Sequence, residues 1–508
     1  FTLKEVMHML KNWQSHQEYK TFLHEAKVHF DSSQRTRLST ELAPAMEKLR
    51  LLNLDPVMEY LLLLYPPFGR PAKNQPQILR SVILFLLLLK DGLASTLTKW
   101  VNKLDHDPVL AALIGCAPDS LPPLGSYFDL MDRLWMAPAS DRYSRSKLFA
   151  PDKNSRKPDK PDKKGQKAKE RHKGIAKKIA SRLQNGGDIP FNFERILQNI
   201  LLIAAVRPSM QLGLIPSGNL TVSGDGTCVH THASPFGKRF KNCRFQDGCP
   251  HRSSQCFRHY SDPDADWGWD SDLDDHFFGY SLYPLSFHNA SDHTDLPLLF
   301  RFTNARRHDS VNFLAAIHEF RRHAPDISIH NICLDSANDN YGTYELLKNW
   351  GIRPFIDLNP QHGAPEGIPE IIHAAEDGTP ICQAGYRMAC WGYDKSKHSI
   401  KWRCPLAAKK VDSCACICSK SSYGRTVHTK TDWDIRLYTP VPRGTAEWKK
   451  IYNNRTASER INNRILNDYK LHSMRIHTKE HYSFMTMAIC ICIHMDAWYK
   501  KLLKTTAA

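Results

Sequence analysis

The sequence predicts a mixed α/β domain preceded by an all-α region, on three observations. Apolar residues recur at helical spacing through roughly the first 140 residues, and from about residue 190 short β-type runs come in succession and then alternate with helices. A Gly-, Pro- and Cys-rich stretch at about 360–440 interrupts that alternation before a long helix closes it. The predicted divisions are a helical N-terminal domain at 1–140, a basic linker at 141–185, the first part of the sheet domain at 186–359, a Cys-rich insertion at 360–440, and a helical return to the sheet domain at 441–508. A chain of 508 residues is longer than one core usually grows, so two to four domains are expected. Its 69 Lys and Arg against 52 Asp and Glu leave a net charge of +17, which points to a polyanionic partner, nucleic acid first and an anionic membrane surface second.

The N-terminal helices are carried by EVMHMLKNW, LSTELAPAMEKLRLLNLDPVMEYLLLLY and PQILRSVILFLLLLKDG. In PPFGRPAKNQPQILRSVILFLLLL a Pro-rich turn leads into a buried helix. Its apolar run, 81–89, stops at Lys90 and Asp91, short of the roughly 20 residues a membrane span needs. The opening FTLKEVMHMLKNW lacks the basic head, apolar middle and small-residue cleavage site of a secretory signal, and Phe at position 1 suggests that the native start lies upstream. Between Asp141 and Arg182, 16 basic residues stand against 5 acidic ones, a net +11 of the +17. Apolar side chains are too sparse there for a core, so the segment reads as a flexible arm, either a solvated linker or a contact for DNA phosphates.

LTVSGDGTCV (220–229), HFFGYSLYPLSFH (276–288) and LPLLFRFTNA (296–305) read as three strands, followed by a helix at about 310–323. A strand at 327–335, a helix at 344–350 and a strand at 353–358 follow. Three antiparallel strands, then helix, strand, helix, strand, is the ribonuclease-H-like order. Asp225 lies near the end of the first strand in GDGT and Asp335 at the end of the fourth, and in that order the two strands are neighbours. A late helix from Thr445 carries YNNRTASERINNR, on which Tyr452, Arg455 and Glu459 fall within roughly 60° of one another. Glu459 would complete a three-carboxylate cluster. Carboxylates this close repel unless cations hold them, and Mg²⁺ suits a few carboxylates, water and phosphate oxygens. For Arg455 the local reading is an i,i+4 ion pair with Glu459.

Asp225 in its DGT context, Asp335, and the spacing Y-x2-R-x3-E at Tyr452, Arg455 and Glu459 resemble the insertion-sequence DDE transposases with a YREK signature. The resemblance extends to SDPDADWGWDSD (261–272), FGYSLY (278–283), SSYGRTVH (421–428) and FGRPAKNQPQILRSVILFLLL (68–88), and so spans most of the chain. The signature's Lys would fall at position 466, which is Leu here; Lys470, one turn further on, is the substitute. The resemblance implies a bacterial cytoplasmic, nucleoid-associated enzyme acting on double-stranded DNA, both transposon ends and target, as a homodimer and without a membrane. It implies cut-and-paste chemistry with two Mg²⁺ or Mn²⁺ ions held by Asp225, Asp335 and Glu459. Arg455 would contact a phosphate, Tyr452 would hydrogen-bond to or stack on DNA, and Arg460 and Lys470 would add DNA contacts. Rival readings are a ribonuclease-H-like nuclease without strand transfer and a DNA-binding protein that has lost catalysis.

Fourteen cysteines, clustered irregularly among histidines, fit a reducing compartment better than a disulfide framework. Cys243, Cys249, His251, Cys256 and His259 form one group, and Cys382, Cys390, Cys404 and Cys414, with Cys416 and Cys418, a second. Each is either structural zinc or free thiols. Cys490 and Cys492, in FMTMAICICIHM, read as core residues. SDPDADWGWDSDLDD lacks the ligand spacing of a calcium loop and reads as a loop before the second strand, with Trp267 and Trp269 either packing or touching DNA.

Overall fold

The computed structural model describes residues 10, 13–33, 35–62, 64–65, 72–89, 96–135, 146–148, 174–190, 193–240, 257–271, 273–359, 369, 373–416 and 418–507. The N-terminal part is helical: α1 (His16–Ser32), α2 (Ala43–Leu51), α3 (Asp55–Leu62), α4 (Gln75–Leu89), α5 (Leu97–His106), α6 (Pro108–Leu113) and α7 (Leu124–Trp135). Ser15 and Glu18 form a capping box that starts α1. Every residue of α4 is buried, as expected for a helix apolar on all sides. Its Ser81 hydroxyl accepts from Trp100 Nε1 at 3.0 Å and Tyr127 Oη at 2.7 Å.

The basic segment is not irregular to its end. Residues 149–173 lie outside the described residues, but α8 (Ile175–Gln184) occupies its last part. Ala176, Ile179, Ala180 and Leu183 recur at helical spacing, and Ala180 and Leu183 are buried. α9 (Glu194–Leu201) continues through a π-helical turn at Leu202–Val206 into α10 (Arg207–Gln211).

The sheet begins with β1 (Leu220–Gly224) and β2 (Thr227–His230), one run in the sequence that Asp225 and Gly226 divide in two. β3 (Asp266–Asp270) is a strand where a loop is expected, because Trp267–Trp269 alternates as a hairpin partner of β4 (Asp275–Asn289). β5 (Thr294–Asn304), helix α11 (Asp309–His323), β6 (Ile329–Leu334), α12 (Tyr341–Asn349) and β7 (Arg353–Ile356) follow in the expected order. The central path runs β7-β6-β1-β4, with β2, β3 and β5 also paired to β4. β1, β6 and β7 are parallel, and every pairing to β4 is antiparallel. This is a mixed α/β sheet with a helical N-terminal region.

The insertion carries its own antiparallel meander, β8 (Ala389–Asp394), β9 (Ser399–Arg403) and β10 (Thr426–Lys430). Two arginines tie it to the main sheet. Arg436 grips Asp339 through Nε at 2.9 Å and Nη2 at 2.6 Å, both side chains buried, and Arg443 donates to the Ile356 carbonyl and Tyr344 Oη.

The late helix starts where Thr445 caps it but is not continuous. α13 (Ala446–Tyr452) passes into a 3-10 turn at Asn453–Arg455, then α14 (Thr456–Asn463), then a π-helical turn at Arg464–Asp468. Asn454 Nδ2 donates to the Ile451 carbonyl and Thr456 Oγ1 to that of Asn453, side-chain bonds that compete with the regular ladder. Last comes α15 (Lys479–Ala507), packed against β5, α9, α2, α4 and α7. A single apolar cluster consequently runs from Leu10 to Trp498, and Cys490 and Cys492 sit within it, as expected.

Replacing Arg436 by Met should leave Asp339 buried without its counter-charge and lower stability by about 3 kcal/mol. Denaturant unfolding of Arg436→Met, and of the double variant with Asp339→Leu, measures this; most of the loss should return in the double variant.

Candidate active site at the ends of two parallel strands

β1 and β6 run parallel with Ser223 opposite Cys333, so Asp225 and Asp335, each two residues further on, leave the sheet side by side. Asp335 opens the 3-10 turn Ser336–Asn338, and its Oδ1 accepts from Asn338 Nδ2 at 2.8 Å. The late helix is held against the same strand ends. The Cys333 thiol donates to the Ile451 carbonyl at 3.3 Å, and Trp448 packs on Cys333 and Phe355. Tyr452 stacks on Trp448 with ring centres 4.3 Å apart, and burial raises its hydroxyl pKa.

Arg455 stands between the acids. Its Nη1 is 3.8 Å from Asp225 Oδ2, and its Nη2 donates to Glu459 Oε1. The i,i+4 pair is therefore present, with a second carboxylate on the other side of the guanidinium. Burial opposes the charge on Arg455, but Tyr452, Glu459 and Asp225 together raise its pKa above the usual arginine value.

A further acid joins the cluster. Asp309, at the first turn of α11, lies against the Asp225–Gly226 break so closely that a Cβ on Gly226 would sit 2.2 Å from its Oδ1. Burial, then the charges of Asp335 and Asp309, push the Asp225 carboxyl up to about 7; Arg455 pulls the other way. Burial and Asp335 push Asp309 to about 7 as well. Beneath them is Tyr283, fully buried, whose ring and hydroxyl occupy the space a side chain at Gly224 would need. Its hydroxyl makes no hydrogen bond within 3.5 Å among the described residues, though Asn338 is near enough to oppose the rise in its pKa caused by burial and by Asp335, Asp309 and Asp225.

The Gly226–Asp309 corner opens into a cleft of about 740 Å³ whose walls include Trp267, Trp269, Arg306, Arg307 and His308. Trp267 packs on Phe278 at 5.7 Å, whereas Trp269 is 52% exposed and offers an uncovered ring. Of the two readings of these tryptophans, packing fits the first and availability to a ligand the second.

Asp225, Asp335, Arg455 and Glu459 thus come to one place, but the three expected acids do not form a closed cage. Among the described residues no three histidine, cysteine, aspartate or glutamate side chains make a finished metal-binding group, and Glu459 is held by Arg455. Arg460 lies elsewhere, its guanidinium clasping Asp295 at 2.5 and 2.8 Å beside a separate groove of about 500 Å³ lined by His288, His293, Lys450 and Asn453. Lys470 is not one turn further along the same helix face: the helix ends in the π turn at Asp468, and Lys470 is exposed in the left-handed region at φ 55°. Leu466, where the signature has Lys, is 7% exposed and belongs to the core. Cys243, Cys249, His251 and Cys256 lie outside the described residues, while His259 ends a short strand, Phe257–His259. Sequence reasoning missed Asp309, which reads as a helix-start acid in RRHDSVNF, and Tyr283, which reads as one more apolar strand residue. Only the basic run preceding Asp309 hinted at a role.

A scan against known protein families finds none that matches this chain, and no curated protein matches it.

A carboxyl raised from about 4 to about 7 stabilises the fold below the lower value and loses that contribution as pH climbs through the upper one. The metal-free protein should therefore weaken between about pH 4 and 7 as Asp225 and Asp309 ionise against each other. Added Mg²⁺ should raise the melting temperature by several degrees at about pH 8 and far less at about pH 5.5. Asp309→Asn should stabilise the metal-free protein at the higher pH and blunt the response to the cation; calorimetry at both pH values decides this.

Proposed function

We propose that the chain is a DNA transposase of the DDE type, built on a ribonuclease-H-like sheet and acting by metal-dependent phosphodiester cleavage followed by strand transfer. The carrying observation is the placement of Asp225 and Asp335 at the ends of neighbouring parallel strands, with Arg455 and Glu459 on a late helix above them. The strand order supports the ribonuclease-H-like assignment: three antiparallel strands, β1, β4 and β5, with β6 and β7 added in parallel on the other side of β1.

The donors suit a divalent cation. Asp225 and Asp309 are half-neutral near pH 7 because nothing beside them offsets the mutual repulsion except Arg455, and the set is all oxygen, as Mg²⁺ or Mn²⁺ prefers. Asp225, Asp335 and Glu459 would hold the metal, with Asp309 as a further carboxylate at the same corner. The chemistry a divalent cation supplies at such a site is activation of an attacking oxygen and neutralisation of charge on the phosphate.

The chain's own groups then have distinct tasks. Arg455 trades its carboxylate partners for a phosphate oxygen, where its fork of donors orients the scissile group. Tyr452, braced on Trp448, keeps that helix turn in place and borders the path of the DNA. Arg306, Arg307 and His308 extend positive charge from the carboxylates along the cleft, and Trp269 presents a face on which a base can stack. The net charge of +17 matches a long polyanion. Among the described residues no helix is long and apolar enough to cross a membrane.

The test is incubation of the full chain with Mg²⁺ or Mn²⁺, labelled transposon-end DNA and a target plasmid. Joined product is expected; cleavage without joining would indicate a nuclease, and binding alone a non-catalytic protein. Asp225→Ala, Asp335→Ala and Glu459→Ala should each abolish cutting while DNA binding persists, and Arg455→Ala should slow it on the order of 100-fold. Full cutting by any of the three carboxylate variants would sink the assignment. In the basic arm, deletion of residues 152–178 should weaken DNA binding and flatten its dependence on salt, as fewer counterions are released.

A further inference from the structure

The insertion has little apolar material to hold it. Its core is Met388, Ile400, Trp402, Leu437 and Tyr438 with a few half-buried neighbours, too small a cluster to order some 80 residues without a staple. Disulfides do not supply one, since among the described residues every cysteine is a free thiol.

The chain instead folds three cysteine-bearing segments toward one another. Cys382 opens a tight turn in which its N–H donates to the Tyr386 carbonyl and its carbonyl accepts from Gly385, both at 2.9 Å, with Gly385 at φ 80°. Cys404 ends β9, its N–H bonded to the Arg425 carbonyl at 2.8 Å. Gly424 presses on it so closely that a Cβ would meet the Cys404 Cβ at 2.7 Å and its Sγ at 3.5 Å. From the third segment, Cys416 Sγ reaches to 3.9 Å of Gln383 Oε1, next to Cys382. Cys418 lies within electrostatic reach of Cys404, Cys416 and Cys382.

Two other cysteines are aimed elsewhere. Cys390 pairs with Trp402 in the meander and packs on the small core, and Cys414 turns back on its own segment, 3.8 Å from the Cys416 carbonyl. The spacing-based set of Cys382, Cys390, Cys404 and Cys414 is therefore revised by the fold.

We propose that Cys382, Cys404, Cys416 and Cys418 form a structural zinc site that clamps the insertion. Four thiolates suit tetrahedral Zn²⁺, a soft-leaning ion with no redox step. As each Zn–S bond forms, the thiol's proton passes to solvent, so binding releases four protons and transfers no electrons. The 414–418 segment closes onto Cys382 and Cys404 in the process, since the four sulfurs are not yet at coordinating distance. Arg436 and Arg443 then transmit the stiffened insertion to the turn that follows Asp335.

This site stands apart from the carboxylates, and its test uses no DNA, so it survives or fails independently of the proposed activity. The full chain is dialysed against zinc under reducing conditions, then against metal-free buffer; bound zinc is measured by mass spectrometry, and thiol alkylation is mapped with and without the metal. Zinc should protect Cys382, Cys404, Cys416 and Cys418 while Cys414 stays reactive. Cys416→Ser and Cys418→Ser, both in a partly exposed loop, should each lower the content by one equivalent, and Cys414→Ser should not. Equal alkylation of the four thiols with and without zinc, unchanged content in the Cys416→Ser and Cys418→Ser variants, or loss in Cys414→Ser would overturn the assignment.

Discussion

Three aspartates, Asp225, Asp309 and Asp335, share a poorly solvated corner of the sheet with one guanidinium, and the surrounding structure answers to that imbalance. A buried carboxylate disfavours its own charge, and a like-charged neighbour adds to the penalty. The metal-free corner settles by keeping protons on Asp225 and Asp309 near neutral pH and by drawing Arg455 between Asp225 and Glu459. The backbone sets the closeness of these groups. Gly226 has no side chain because Asp309 occupies its place, and Gly224 has none because Tyr283 does. Both glycines of the GDGT run are thus explained by what lies against them.

The late helix has to bring Arg455 and Glu459 over this corner while anchoring on the far side of β6. It does so by changing its winding. The 3-10 turn at Asn453–Arg455 tightens the helix just where Tyr452 leaves its stack on Trp448 and Arg455 enters the acid cluster. The π turn that follows loosens it again and directs Ile465 and Leu466 into the core. Such irregular turns cost regular hydrogen bonding, which Asn454 and Thr456 side chains restore in part. The helix is bent to the needs of its two ends.

Much of this was legible in the sequence, for reasons that can be named. β4, β5, α11 and β6 follow from apolar runs and helical spacing, and the pairing of Asp225 with Asp335 follows once β1 and β6 are neighbours. Local pattern cannot show which residues approach from elsewhere in the chain. Asp309 reads as an ordinary helix-start acid until Gly226 is placed beside it, and Lys470 reads as a continuation of a helix until the π turn ends it. β3 was obscured by its acidic flanks, which suggested a loop, although Trp267 and Trp269 alternate as a strand should. The cysteines of the insertion show the same limit: spacing favours evenly separated residues, whereas turns and contacts bring Cys416 and Cys418 toward Cys382 and Cys404.

The helix at Lys479–Ala507 packs at once against α2 and α4 near the start of the chain and against β5 of the sheet, and Cys492 reaches the Ile83 carbonyl. Helices made first in synthesis therefore cover their apolar faces with a helix made last. On the ribosome α4, buried on every side in the finished fold, must wait with its surface uncovered until nearly the whole chain has emerged. A chain cut short before residue 479 leaves an open core rather than a smaller working protein, so the N-terminal helices cannot act as a free-standing fragment that competes with the complete molecule for the same DNA.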